Sequence, residues 1–142
     1  MMDLAVVGLQ NGGIRIINLT EPSNPQLVGK VRNQDGSDAT LMPRDITVNA
    51  TLGLAIASAL DGVYVIDIRN PSDPRVLNKI TQLPTSAVNP DGTPVMIRLD
   101  GNQALIEKNG VVYLANPTKG VKALNLGAGA KITCNSNGPC GP

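Results

Sequence analysis

Two segments of this chain are near copies of each other, and that repetition limits the folds open to it more than any other feature. Residues 13–31 read GIRIINLTEPSNPQLVGKV and residues 62–80 read GVYVIDIRNPSDPRVLNKI. At an offset of 49 residues Ile17 falls on Ile66, Pro22 on Pro71, Ser23 on Ser72, Pro25 on Pro74 and Lys30 on Lys79. Each copy is an alternating apolar run, then a Pro-Ser-x-Pro stop, then a second apolar run. Proline cannot donate to a ladder, so the run before it ends there as a strand.

A third copy is altered. VVYLA, NPTKG and VKALNL occupy residues 111–126, with Gly120 standing 58 residues after Gly62. The additional residues fall around QALIEK at 103–108, and no proline motif follows Leu126, so this unit is expected to stop before its last strand. Turn signals at Asn11-Gly12-Gly13, Asp61-Gly62 and Asn109-Gly110 separate the runs. No stretch keeps helical periodicity over three turns. A period of 40 to 50 residues with several short strands per unit predicts an all-β chain of antiparallel, propeller-type blades, here an incomplete ring of two to three. The units run over about 4–49, 50–94 and 95–126, and 127–142 follows as a flexible or disulfide-stapled tail.

GGIRIINLTEPSNPQLVGKV and DGVYVIDIRNPSDPRVLNKI resemble the LVIVD repeat, a β-propeller repeat of bacterial and archaeal proteins that are often secreted or surface-attached. The likeness covers Gly13 to Val31 and Gly62 to Ile80, and is weaker over Val111 to Leu126. It implies blades around a channel, a role in binding or adhesion, and an extracellular or cell-surface location. The blade number departs from that pattern, because a closed propeller needs about four to eight. A fragment of a longer protein, several copies closing one ring, or an open stack covered by a partner would each account for it. Bare strand edges invite pairing with other chains, so self-association or a protein partner is expected.

Composition removes several function classes. There is no His among the 142 residues, which excludes Ser-His-Asp triads, Cys-His pairs and His-ligated metals. Twelve basic and eleven acidic side chains leave a net charge of +1 without a basic run, so the footprint of nucleic-acid binding is missing. No window approaches the run of about 18 apolar residues that a membrane-spanning helix needs. The start, MMDLAVVGLQ, lacks the positive region of a signal peptide. The acids lie mainly at turns, and two tyrosines offer little platform for sugar, so catalysis is not expected here. Both Tyr64 and Tyr113 are expected to pack on blade faces.

The remaining candidates are few. The acidic, Gly-containing loops NQDGSD (33–38) and NPDGTP (89–94) suit an oxygen-lined Ca²⁺ site, with Asp35, Asp38 and Asp91 as ligands. Their plainer role is turn geometry, which favours Asp and Gly. Likewise Asn18 and Asp67, at one repeat position, either ring a channel or cap the next turn. Cys134 and Cys140, in CNSNGPC, form a disulfide in an oxidising compartment or remain free thiols. The loops at 33–43 and 82–94 differ between units where the strands do not, which makes them the expected recognition surface. The function expected is a non-catalytic binding or structural module of an extracellular or surface assembly, completed by other chains or a longer parent protein. The alternative is a fragment of a secreted propeller enzyme with its catalytic residues outside this chain.

Overall fold

A computed structural model describes residues 3–10, 12–101, 103–118, 120–126, 132–134 and 138–139. These residues form strands and no helix. The first sheet is β1 (Leu4–Leu9), β2 (Gly13–Asn18) and β3 (Gln26–Lys30). The second is β4 (Pro43–Asn49), β5 (Leu54–Ala59), β6 (Gly62–Asp67) and β7 (Arg75–Ile80). A two-stranded hairpin, β8 (Gln82–Val88) and β9 (Pro94–Arg98), precedes the third sheet. That sheet comprises β10 (Ala104–Lys108), β11 (Val111–Asn116), β12 (Gly120–Leu126), β13 (Ile132–Cys134) and β14 (Gly138–Pro139). Within each sheet, strands adjacent in sequence pair antiparallel, and none of the four sheets closes on itself.

The repeat is kept down to its irregularities. Gly13–Asn18 and Gly62–Asp67, related by the 49-residue offset, are the whole of β2 and of β6. In the first sheet Ile16 faces Gly29 and Ile17 faces Leu27, so Val28 is an extra residue. In the second, Val65 faces Asn78 and Ile66 faces Val76, so Leu77 is the extra residue at the equivalent place. A bulge sharpens the local twist of a strand, and its recurrence bends both outer strands alike. Gly29 meets a further demand, since a Cβ there would lie 2.1 Å from the Pro71 carbonyl oxygen of the next sheet. Only glycine admits so close an approach between β3 and the proline turn.

The sheets stack face on face with the second in the middle. Every residue of β5 is buried, as are the first five of β6. Pleating sends alternate side chains to opposite faces, and the two faces enter different cores. Ala55, Ala57, Ala59, Tyr64 and Ile66 pack with Ile14 and Val31 from the first sheet side. Leu54, Ile56, Val63 and Val65 pack with Leu105, Val112, Leu114 and Leu124 of the third. Burying each such Ile, Leu or Val is worth about 1.5–3 kcal/mol. The face of β5 toward the first sheet is lined by alanines, and the face toward the third carries Leu54 and Ile56.

Three expectations need correction. Residues 82–94 are not a loop: Gln82–Val88 is β8, and the turn of its hairpin is confined to 89–93. Pro84 is accommodated because β8 pairs on one side only, with β9. The third unit does have a fourth strand, since β13 pairs with Leu124, Asn125 and Leu126 of β12. Its strand lies beyond the Gly-Ala run at 127–130, where no proline turn marked it. Tyr113 is 46% exposed, unlike Tyr64 in the core, because its face of β11 has no sheet against it.

Candidate functional site

The turns come first, since sequence pointed to their acids. Asn33 to Ser37 and Asn89 to Thr93 are one turn made twice. In each, the Asn N–H donates to the carbonyl four residues on (2.8 and 2.7 Å), and the Gly N–H donates back to the Asn carbonyl (3.0 and 2.9 Å). The Asp accepts the backbone N–H two residues later, in Ser37 at 2.9 Å and Thr93 at 3.0 Å, and their hydroxyls as well. Both central glycines hold φ +87°, a left-handed conformation that L side chains avoid. The loops expected to diverge between units thus share the pattern Asn-x-Asp-Gly-Ser/Thr, a likeness hidden by an offset of 56 rather than 49.

That geometry occupies the proposed Ca²⁺ ligands. The Ser37 hydroxyl holds the Asp35 carboxyl below its ordinary range, and the Thr93 hydroxyl does the same for Asp91. Asp38 is lowered first by Lys30, whose Nζ lies 2.6 Å from Oδ2. Asp35 and Asp38 share one turn while Asp91 belongs to the other. Among the described residues no group of three or more acidic or Cys side chains is placed to hold a metal ion. The turns after β2, β6 and β11 are capped in one way: Asn18 accepts the Thr20 N–H, Asp67 the Arg69 N–H and Asn116 the Thr118 N–H. Capping is the role in which Asn18 and Asp67 are seen. Cys140 and the Cys134 side chain lie outside the described residues, and with them the expected disulfide.

The two turns differ in setting. Arg75 Nη1 donates to the Asn33 carbonyl at 3.1 Å while its Nε donates to Asp73 at 2.9 Å, and Gln34 Nε2 donates to the Val76 carbonyl at 2.7 Å. The first turn is therefore tied down on β7. The second sits at the end of β8–β9, whose base is anchored in the core by Leu83 and Ile97. Every residue of 86–96 is exposed, including Val88 at 63%, Val95 and Met96. The hairpin stands out from the stack as an arm with an apolar surface.

A second feature had no signal in the sequence beyond Lys79 recurring with Lys30. A cleft of about 440 Å³ opens beside the second sheet, with Asn33, Leu41, Met42, Asp61, Tyr64 and Lys79 in its wall. Asp61 Oδ2 accepts from Tyr64 Oη at 2.9 Å and lies 2.7 Å from Lys79 Nζ, which stands 5.3 Å over the Tyr64 ring. Burial pushes the Asp61 carboxyl up, but hydrogen bonds from Lys79 and Tyr64 outweigh it and leave the carboxyl below 3.8. Burial and then the Asp61 hydrogen bond raise Tyr64, and the Asp61 hydrogen bond raises Lys79. All three move away from neutrality, whereas a proton-transfer catalyst works best near the operating pH. The trio is a polar clasp closed by its own hydrogen bonds.

No helix among the described residues is long and apolar enough to cross a membrane. No protein-family model matches the chain, and no curated protein matches it. Among solved structures, the crystal structure of the computationally designed Ika8 protein superposes with a TM-score of 0.56 at 15% identity, over 99% of this chain and 36% of that one. This chain thus spans little more than a third of the designed protein's length. At that identity the likeness concerns fold alone: the chain is an all-β protein of stacked antiparallel sheets.

Proposed function

We propose that this chain is a non-catalytic, propeller-type β-repeat module that binds a protein partner in an extracellular or surface assembly. In this reading the stacked sheets are blades, the proline turns are their rims, and the ring is completed outside the chain. The protruding hairpin β8–β9 is the recognition arm. Its exposed run at 86–96, with Val88, Val95 and Met96 outward, is the observation that carries the reading. A contiguous exposed apolar patch rimmed by polar residues marks an interaction site. The clasp at Asp61, with its groups driven from neutrality, supports the non-catalytic part. The LVIVD resemblance supports the propeller type and the surface location.

The test is retention of a partner. The chain, immobilised, should hold a defined protein from the surface fraction of its source cells, identified by mass spectrometry. The double variant Val88→Asp, Met96→Asp should lose that retention by about tenfold or more while keeping its β circular dichroism. Retention that ignores the hairpin substitutions, or none from any fraction, would sink the proposal.

A further inference from the structure

The internal packing of this chain runs in one direction. One face of the first sheet lies on the near face of the second, and the far face of the second lies on the third. This order leaves one face uncovered at each end of the stack, and the repeat says what each would accept.

At the far end, hairpin registers set the correspondence. Ala59 pairs with Gly62 in the second sheet, and Asn116 with Gly120 in the third. Counting back from those pairs, Ile56 corresponds to Tyr113, Val63 to Val121 and Val65 to Ala123. Ile56, Val63 and Val65 are fully buried under the third sheet. Their counterparts are open among the described residues except for half-buried Ala123: Val121 is 71% exposed, and beside Tyr113 its cross-strand partner Ile106 is 69% exposed.

At the near end, Leu9 pairs with Gly13. Val7 then corresponds to Ala57, Leu9 to Ala59, Ile17 to Ile66 and Leu27 to Val76. All four second-sheet residues are buried under the first sheet. Leu27 is 65% exposed, and Val7 and Leu9 are exposed with it. Register places these side chains on one face, since Val7 lies opposite Arg15, and Ile17 opposite Leu27. Arg15 shares that face, and its Nη1 donates to the Gly12 carbonyl at 3.0 Å.

The two open faces are therefore the halves of the contact that this chain already makes twice inside itself. We propose that the third sheet's Ile106–Tyr113–Val121 face docks on the first sheet's Val7–Leu9–Leu27 face in a second copy of the chain, head to tail. The two faces lie at opposite ends of an unclosed stack, so one molecule cannot bring its own pair together. Contact between different patches is heterologous, and copies add until the rotation closes a ring or a filament grows. This deepens the reading above by naming the completing partner as the chain itself, and rests on its unfinished stack, not on its hairpin arm.

Light scattering on the purified chain tests it. The wild-type mass should rise with concentration beyond the monomer. Val121→Glu blocks one face and Leu27→Glu the other, both at positions already exposed in the single chain. Each variant alone should weaken association by about tenfold or more, since it buries an unpaired charge in an apolar contact. Mixed in equal amounts, the two should form a dimer and stop there, because each supplies the face the other lacks. A wild-type chain that stays monomeric would overturn the proposal, as would association indifferent to both substitutions or a mixture that remains monomeric. If the hairpin arm still retains its partner in that event, only this inference falls.

Discussion

Ser58 is the residue that least suits its place. It lies at the heart of β5, fully buried, and its hydroxyl has no hydrogen-bond partner among the described residues. An unsatisfied buried hydroxyl costs about 1–3 kcal/mol, and removing it leaves only a small void. Ser58→Ala should therefore raise stability, by about 1 kcal/mol, read as a higher urea midpoint with unchanged slope. A lower midpoint would show that the hydroxyl is satisfied in solution. Residue identity announced the caps at Asn18 and Asp67, since Asx residues before a turn have one dominant use. It did not announce Ser58, whose cross-strand neighbours Asp45 and Val63 belong to other strands.

At the scale of elements, the second sheet is held at its rim by an ion pair between a turn and a strand. Asp61, in the β5–β6 turn, meets Lys79 of β7, which lies opposite Tyr64 of β6. A carboxyl whose folded value is depressed below its ordinary 3.8 adds stability that is complete above that value and lost as pH falls through the lower one. Asp35, Asp38, Asp67 and Asp91 are shifted the same way. Wild type should thus lose stability in acid, and Asp61→Asn should be less stable than wild type near neutrality. The gap between them should close in acid, as pH falls through that lowered value. Urea melts at both pH values check this, and a gap that widens in acid would contradict the assignment. The strands were legible from their alternation and proline stops. β8 and β13 were not, the first because Pro84 imitates a loop and the second because a Gly-Ala run hid its approach.

For the whole molecule, stacking makes stability depend on neighbours, as in other repeat proteins where each unit contacts only the next. The second sheet alone has both faces covered, so amide exchange should be slowest in β5 and β6 and faster in β1 and β12. Exchange measured by mass spectrometry checks that order, and β12 outlasting β6 would show that its outer face is covered in solution. The sequence by itself determined the strand alternation, the proline-turn punctuation and the repeat period, because these depend on neighbours within a few residues. Only the tertiary structure decided which faces are buried. Tyr64 and Tyr113 sit in similar strand patterns, yet one is core and the other surface. Val63 and Val121 correspond one to one, yet only Val63 has a sheet against it. A face is buried by what the stack brings to it, and that depends on how many sheets follow, which no local pattern records.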